Sequence, residues 1–181
     1  MGRIEQLAEK VREHLQLPWQ RTVSGAQRVI MVVYEQHAER ALRAKLDLFQ
    51  QAVESCKLDW HHVDVSQAFS TWMAHDEYRE AYFESPDDLA LKLEAEFPRF
   101  LADLVCRQLE SPDVTDNSVV AIYGAASLFG FTQVSRLLHD IEPSIKGRLL
   151  IFFPGEKTGN NYRLLDARDG WNYLAVPITI P

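Results

Sequence analysis

An α/β fold built on a mainly parallel sheet is what this sequence predicts, and three observations predict it. Short apolar runs at 29–34, 119–123 and 149–153 are continuous rather than alternating, as strands buried on both faces read. Amphipathic helical patterns separate these runs. The stretch 118–156 contains one complete strand–helix–strand unit, in which Phe131, Val134, Leu137, Leu138 and Ile141 share a helical face and Pro143 stops the helix. A connection of this length between buried strands is a right-handed parallel crossover, so the turns at 124–127 and 154–156 share one sheet edge. That is the edge where open α/β sheets place their sites. The full expectation is a single three-layer domain over 1–181, with a mainly parallel sheet of at least four strands and a C-terminal β-hairpin.

Taken in order, residues 3–17 form an amphipathic helix with Ile4, Leu7, Ala8, Val11 and Leu15 on one face, ended by Pro18. The core spans 28–156 and opens with the strand at 29–34. Ala38, Ala41, Leu42, Lys45, Phe49, Ala52 and Cys56 then trace one helical face, and 60–65 is a second strand carrying polar His62 and Asp64. Residues 67–83 read as an irregular helix anchored by Phe69, Trp72, Met73 and Tyr82. Ser85-Pro86-Asp87-Asp88 is a helix start with Ser85 as N-cap, and Pro98 is expected to kink or restart the helix that follows. The apolar run at 149–153 closes on a Pro154-Gly155 turn. In the hairpin, 160–178, Tyr162–Asp166 and Trp171–Val176 flank an Asp-Ala-Arg-Asp-Gly turn.

A net charge of −7 argues against general nucleic-acid binding, and no apolar run is long enough to span a bilayer. The charged amino terminus is unlike a signal peptide, and Gly2 lacks a myristoylation pattern, so a cytoplasmic protein without membrane attachment is expected. Cys56 and Cys106 read as reduced thiols. From Pro143 onward five bases face three acids, which leaves the preceding part more acidic. A contrast of this kind orients a protein partner or is simply a solvated surface.

Gly124-Ala-Ala-Ser-Leu-Phe-Gly130 lies where a phosphate loop would lie, yet it is neither Gly-x-Gly-x-x-Gly nor a Walker A sequence. Gly124, Ser127 and Gly130 are the candidate anion turn; the plainer reading is a tight turn that needs small residues. Glu35, Gln36, His37, Asp64, Ser66 and Glu156 fall at the same edge, where carboxylates can hold Mg²⁺ for phosphoester chemistry. No lysine or arginine in those turns neutralises a phosphate. His61-His62 points to opposite faces of a strand, neither cysteine has a Cys-x-x-Cys partner, and no Gly-x-Ser-x-Gly elbow occurs. No catalytic residue, metal site or cofactor is expected.

The segments YREAYFESPDDL at 78–89, YGAASLFGFTQVSRLL at 123–138, GRLLIFFPGE at 147–156 and NNYRLLDARDGWNYLAVPI at 160–178 resemble the BrxB family, small proteins of bacteriophage-exclusion (BREX) defence systems. The resemblance runs from about residue 72 to the carboxyl terminus. It implies a bacterial cytoplasmic protein encoded with a DNA methyltransferase, a large ATPase and the alkaline-phosphatase-like protein PglZ, and it supplies no catalytic residues to carry across. Two functions therefore compete. One is a non-catalytic interaction subunit that docks onto the PglZ-like component. The other is a degenerate nucleotide- or phosphate-binding domain with metal-dependent phosphoester chemistry. For the first, the contact surface is expected around Lys157, Tyr162, Arg163, Arg168 and Trp171, where cations lie beside aromatics. The alternative for these aromatics is packing of the hairpin on the sheet.

Overall fold

Every side chain of strand β1 (Val29–Tyr34) is buried, and so is every side chain of its neighbour β4 (Arg148–Thr158) as far as Pro154. A computed structural model describes residues 1–19, 22–167 and 170–181. The two strands run parallel in register from Val29↔Leu149 to Tyr34↔Pro154. Beyond β4 lie β3 (Ser118–Tyr123) and the edge strand β2 (Asp59–Asp64), and on the far side of β1 lies β7 (Val176–Ile178). The order is β2-β3-β4-β1-β7, and all of these pairings are parallel. The chain is therefore mixed α/β with a mainly parallel central sheet.

Alternation along the strands sorts the core into two clusters. Val29, Met31, Val33, Val120, Ile122, Leu149 and Ile151 pack with α4 (Ala68–Ala74), α6 (Ala90–Leu109) and α7 (Val134–Ile141). Ile30, Val32, Val119, Ala121, Leu150 and Phe152 pack with α1 (Arg3–Gln16), α2 (Glu39–Arg43) and α3 (Leu46–Ser55). Strands buried on both faces need helices on both faces, which the sequence supplies as amphipathic segments between the apolar runs.

Several elements depart from expectation for identifiable reasons. The helix traced over 38–56 breaks at Lys45, which leaves helical geometry and ion-pairs with Glu5 of α1. The helix expected over 67–83 divides into α4 and α5 (Arg79–Glu84), because Asp76 Oδ1 accepts the backbone N–H of Tyr78 at 2.8 Å and forms a local turn. The side chain of Ser85 caps nothing; its carbonyl accepts the N–H of Asp88 at 3.1 Å in a 3₁₀ turn, and α6 starts at Ala90. Pro98 neither stops nor restarts α6, which runs unbroken to Leu109. Proline deprives the Glu94 carbonyl of its usual donor, and Arg136 Nη1 of α7 fills that role at 3.3 Å. The helix after Gly130 starts only at Val134, behind a 3₁₀ turn at Ala125–Leu128.

Pro154-Gly155 is not a turn. β4 continues through it to Thr158 and pairs antiparallel with β5 (Asn161–Leu164). Between 161–166 and 171–176 only Asn161↔Asn172 and Tyr162↔Trp171 pair, through the short strand β6 (Trp171–Asn172). Val176–Ile178 leaves to edge the central sheet on β1, where Ile178 is buried with α1. Burying that apolar end against β1 outweighs extending a two-stranded ladder in water.

Phe152 is fully buried, with its ring 4.8 Å from that of Phe49 in an edge-on arrangement. Phe152→Ala should cost about 3–5 kcal/mol in denaturant unfolding. Leu91→Ala, at an exposed position, should stay within about 0.5 kcal/mol of the parent.

Candidate functional site

Three regions of the surface can be built from their residues. The first is the edge formed by the carboxyl ends of the parallel strands. β1 leads into helices on one face of the sheet, while β4 leads into a lobe whose Tyr162 and Leu164 pack on the other. Adjacent strands that diverge in this way open a crevice between their ends. A cavity of about 390 Å³ lies there, walled by Val33, Tyr34, Glu35, His37, Gly155–Thr158 and residues of α1 and the tail. Most of its charges are paired within the chain, Lys157 being the exception. Arg3 Nη1 meets Glu35 Oε1 at 2.8 Å, His37 Nε2 lies 3.2 Å from Glu35 Oε2, and Glu156 pairs with Arg163.

Beside it, Tyr34 donates its hydroxyl to Glu39, and Arg43 Nε donates to the same carboxylate at 2.7 Å. Arg43 also reaches Ser66 Oγ at 2.6 Å, stands 3.9 Å from Asp64 Oδ2, and lies over the ring of Tyr123 at 5.5 Å. Burial and the Glu39 carboxylate both push the Tyr34 phenol well above its usual range, so it remains a donor. Arg43 is a cation at the strand ends that no turn motif signals; it arrives from α2, far from the glycine turn in sequence.

The candidate anion turn is occupied by its own chain. Gly124 has φ +88°, and a Cβ there would approach Asp64 Oδ1 and Ser66 N at 2.8 Å. Ser127 Oγ donates to the carbonyls of Gly124 at 2.7 Å and Val65 at 3.2 Å. Gly130 also has positive φ, but it lies in open space. A carboxylate thus faces Gly124 where a phosphate would need donors. Among the described residues, no group of three or more His, Cys, Asp or Glu is placed to hold a metal ion, and no helix is long and apolar enough to cross a membrane.

The second region is the C-terminal lobe. Tyr162 is fully buried, its hydroxyl has no partner, and burial pushes the phenol up to about 12. Trp171 is half-buried, with its ring 5.4 Å from Tyr162, 5.7 Å from Phe153 and 6.0 Å from Tyr173. These aromatics fill the lobe. Lys157 donates to the Gly159 carbonyl and lies 6.0 Å from the Tyr162 ring, while Arg163 is spent on Glu156. Arg168 lies outside the described residues.

The third region was not singled out by motif. Residues 76–96 carry eight acids against two bases, Arg79 and Lys92. Within them Tyr78, Phe83 and Leu91 are 60%, 62% and 83% exposed. The arm is nevertheless held firmly at its base. Asp76, 8% exposed, ion-pairs with Lys92 of α6, and Lys92 also sits 5.8 Å over the Tyr82 ring. Beneath it, Phe69 stacks on Phe131 at 3.9 Å and meets Phe97 edge-on at 5.7 Å. The sequence signal was available: apolar residues outside the inward stripe, inside a run of acids.

Comparison of the chain with protein-family models, with curated proteins and with solved structures returns no match.

The hydrogen bond from Lys92, followed by that from the Tyr78 N–H, holds the Asp76 carboxyl below its ordinary range. A depressed carboxylate adds stability above its unfolded-state pKa of about 3.9 and loses it as pH falls through the folded value. Unfolding midpoints measured from neutral pH into acid should therefore show Asp76→Asn less stable than the parent above about pH 4, with the gap closing below it.

Proposed function

We propose that this chain is a non-catalytic docking subunit of a bacterial anti-phage (BREX) defence complex, and that its partner is the PglZ-like component. The observation that carries the docking role is the arm at 76–96. Exposed aromatic and aliphatic side chains on a rigid base are the anchors that interfaces use, because they bury large area without ordering a flexible segment first. The surrounding acids select a basic partner surface and speed encounter with it. The resemblance of 78–89, 123–138, 147–156 and 160–178 to the BrxB family supplies the defence context and the choice of partner. On this reading the protein is cytoplasmic and touches nucleic acid only through its partners. The two core clusters support a three-layer domain, with the β4–β6 lobe in the role of the C-terminal hairpin.

The competing phosphate-binding reading is weakened by the edge itself. Three of its cations, Arg3, Arg43 and Arg163, are each engaged by an acid, Lys157 donates to the Gly159 carbonyl, and Asp64 stands against Gly124.

The test is affinity for the purified PglZ-like component. Tyr78→Ala combined with Phe83→Ala should weaken binding at least about tenfold, or about 1.4 kcal/mol, with the unfolding midpoint unchanged. Arg163→Glu should leave binding within about twofold, since that guanidinium is already paired. Undiminished binding by the double variant would place the interface elsewhere.

A further inference from the structure

At the opposite edge of the sheet, Arg148 opens β4 and is only 7% exposed. Its guanidinium lies 4.3 Å from the centre of the Trp19 ring. Its Nη1 is sealed from solvent without an acceptor, and no described residue takes a hydrogen bond or ion pair from the side chain. A cation with a donor nitrogen in this state is expensive, because burial strips water from Nη1 and no described residue returns a hydrogen bond to it. Desolvation accordingly pushes the Arg148 guanidinium below its usual range, and His14 nearby is held low by burial and then by Arg148, so it stays neutral at pH 7.

A cavity of about 190 Å³ adjoins it, and Arg148 lines that cavity together with Leu15, Leu17, Trp19, Leu58 and Asp116. Leu15 and Leu17, at the carboxyl end of α1, and Leu58, three residues beyond α3, line the same cavity, and helix carboxyl ends favour a cation. Each helix end offers only about half a charge, and no described carbonyl accepts a hydrogen bond from Arg148 Nη1. Water in the cavity can accept hydrogen bonds but cannot neutralise the charge. The missing component is an anion. The leucine walls call for an apolar body behind it, and one guanidinium balances one negative charge.

We propose that this cavity binds a small organic monocarboxylate, with the carboxylate on Arg148 and the apolar body against Leu15, Leu17 and Leu58. Binding at this site is independent of the acidic arm and of any docking partner.

Butyrate is a suitable probe, with sodium chloride at equal ionic strength and inorganic phosphate as comparisons. Intrinsic fluorescence should change saturably with butyrate, and the change should vanish in Trp19→Phe, which assigns it to this cavity. The unfolding midpoint should rise with the logarithm of butyrate concentration once the site is filled. Arg148→Gln should abolish both responses. Leu17→Glu, at a position 59% exposed and so compatible with folding, places a competing carboxylate at the rim and should abolish them too. It keeps the test decisive if Arg148→Gln does not fold. No saturable change in the parent protein would overturn the proposal, as would an equal response to chloride or phosphate or an undiminished response in Leu17→Glu.

Discussion

The parallel pair formed by β1 and β4 is the constraint on which the rest of the structure depends. Along Val29–Tyr34 and from Arg148 to Pro154 every side chain is buried, so both faces of the sheet must be covered along the pair. That single demand accounts for helices on each side. It accounts for the tail's return to lay Ile178 against β1, and for the position of the ligand-sized crevice. It also explains why β2 can carry His61, His62 and Asp64. At the sheet's edge only Val63 is buried, and His62 and Asp64 face water.

Polar groups are handled differently at the two ends of these strands. At the carboxyl end three arginines each have an acidic partner, Arg3 with Glu35, Arg43 with Glu39 and Arg163 with Glu156, while Lys157 donates to the Gly159 carbonyl. Such half-exposed pairs contribute little stability, but they consume the charges that a phosphate would require. At the amino end Arg148 is buried against Trp19 with no described acid paired to it and no described acceptor for Nη1, which is costly and therefore informative. Away from both, the 76–96 arm concentrates exposed apolar surface and negative charge in one projection anchored by Asp76 and Lys92. A protein that docks by this arm keeps its sheet edges free for other ligands.

Much of the fold was legible because it is written in local pattern. The apolar runs at 29–34, 119–123 and 149–153 became β1, β3 and β4, and the stripe from Ile4 to Leu15 became the buried face of α1. What was not legible depends on contacts distant in sequence. Pro98 is tolerated within α6 because Arg136, from another helix, serves the orphaned Glu94 carbonyl. Pro154-Gly155 has turn composition, yet β5 pairs with the chain beyond it and holds it extended. The site followed the same division. Tyr162 has the composition of an interface residue and the burial of a core residue, and composition cannot separate the two. Arg43 and Arg148 look like ordinary surface cations until tertiary structure puts one beside Asp64 and the other beneath Trp19.

The proposed mode of action is docking of the 76–96 arm, rich in acids, onto a basic protein surface. Amide hydrogen exchange of the chain alone and in complex with the PglZ-like component tests it directly, because exposed backbone that becomes an interface gains protection. Protection gained across 77–94, with exchange around Lys157 and Arg163 unchanged, is the expected result. Protection confined to the C-terminal lobe, with the arm exchanging as in the free protein, would contradict it.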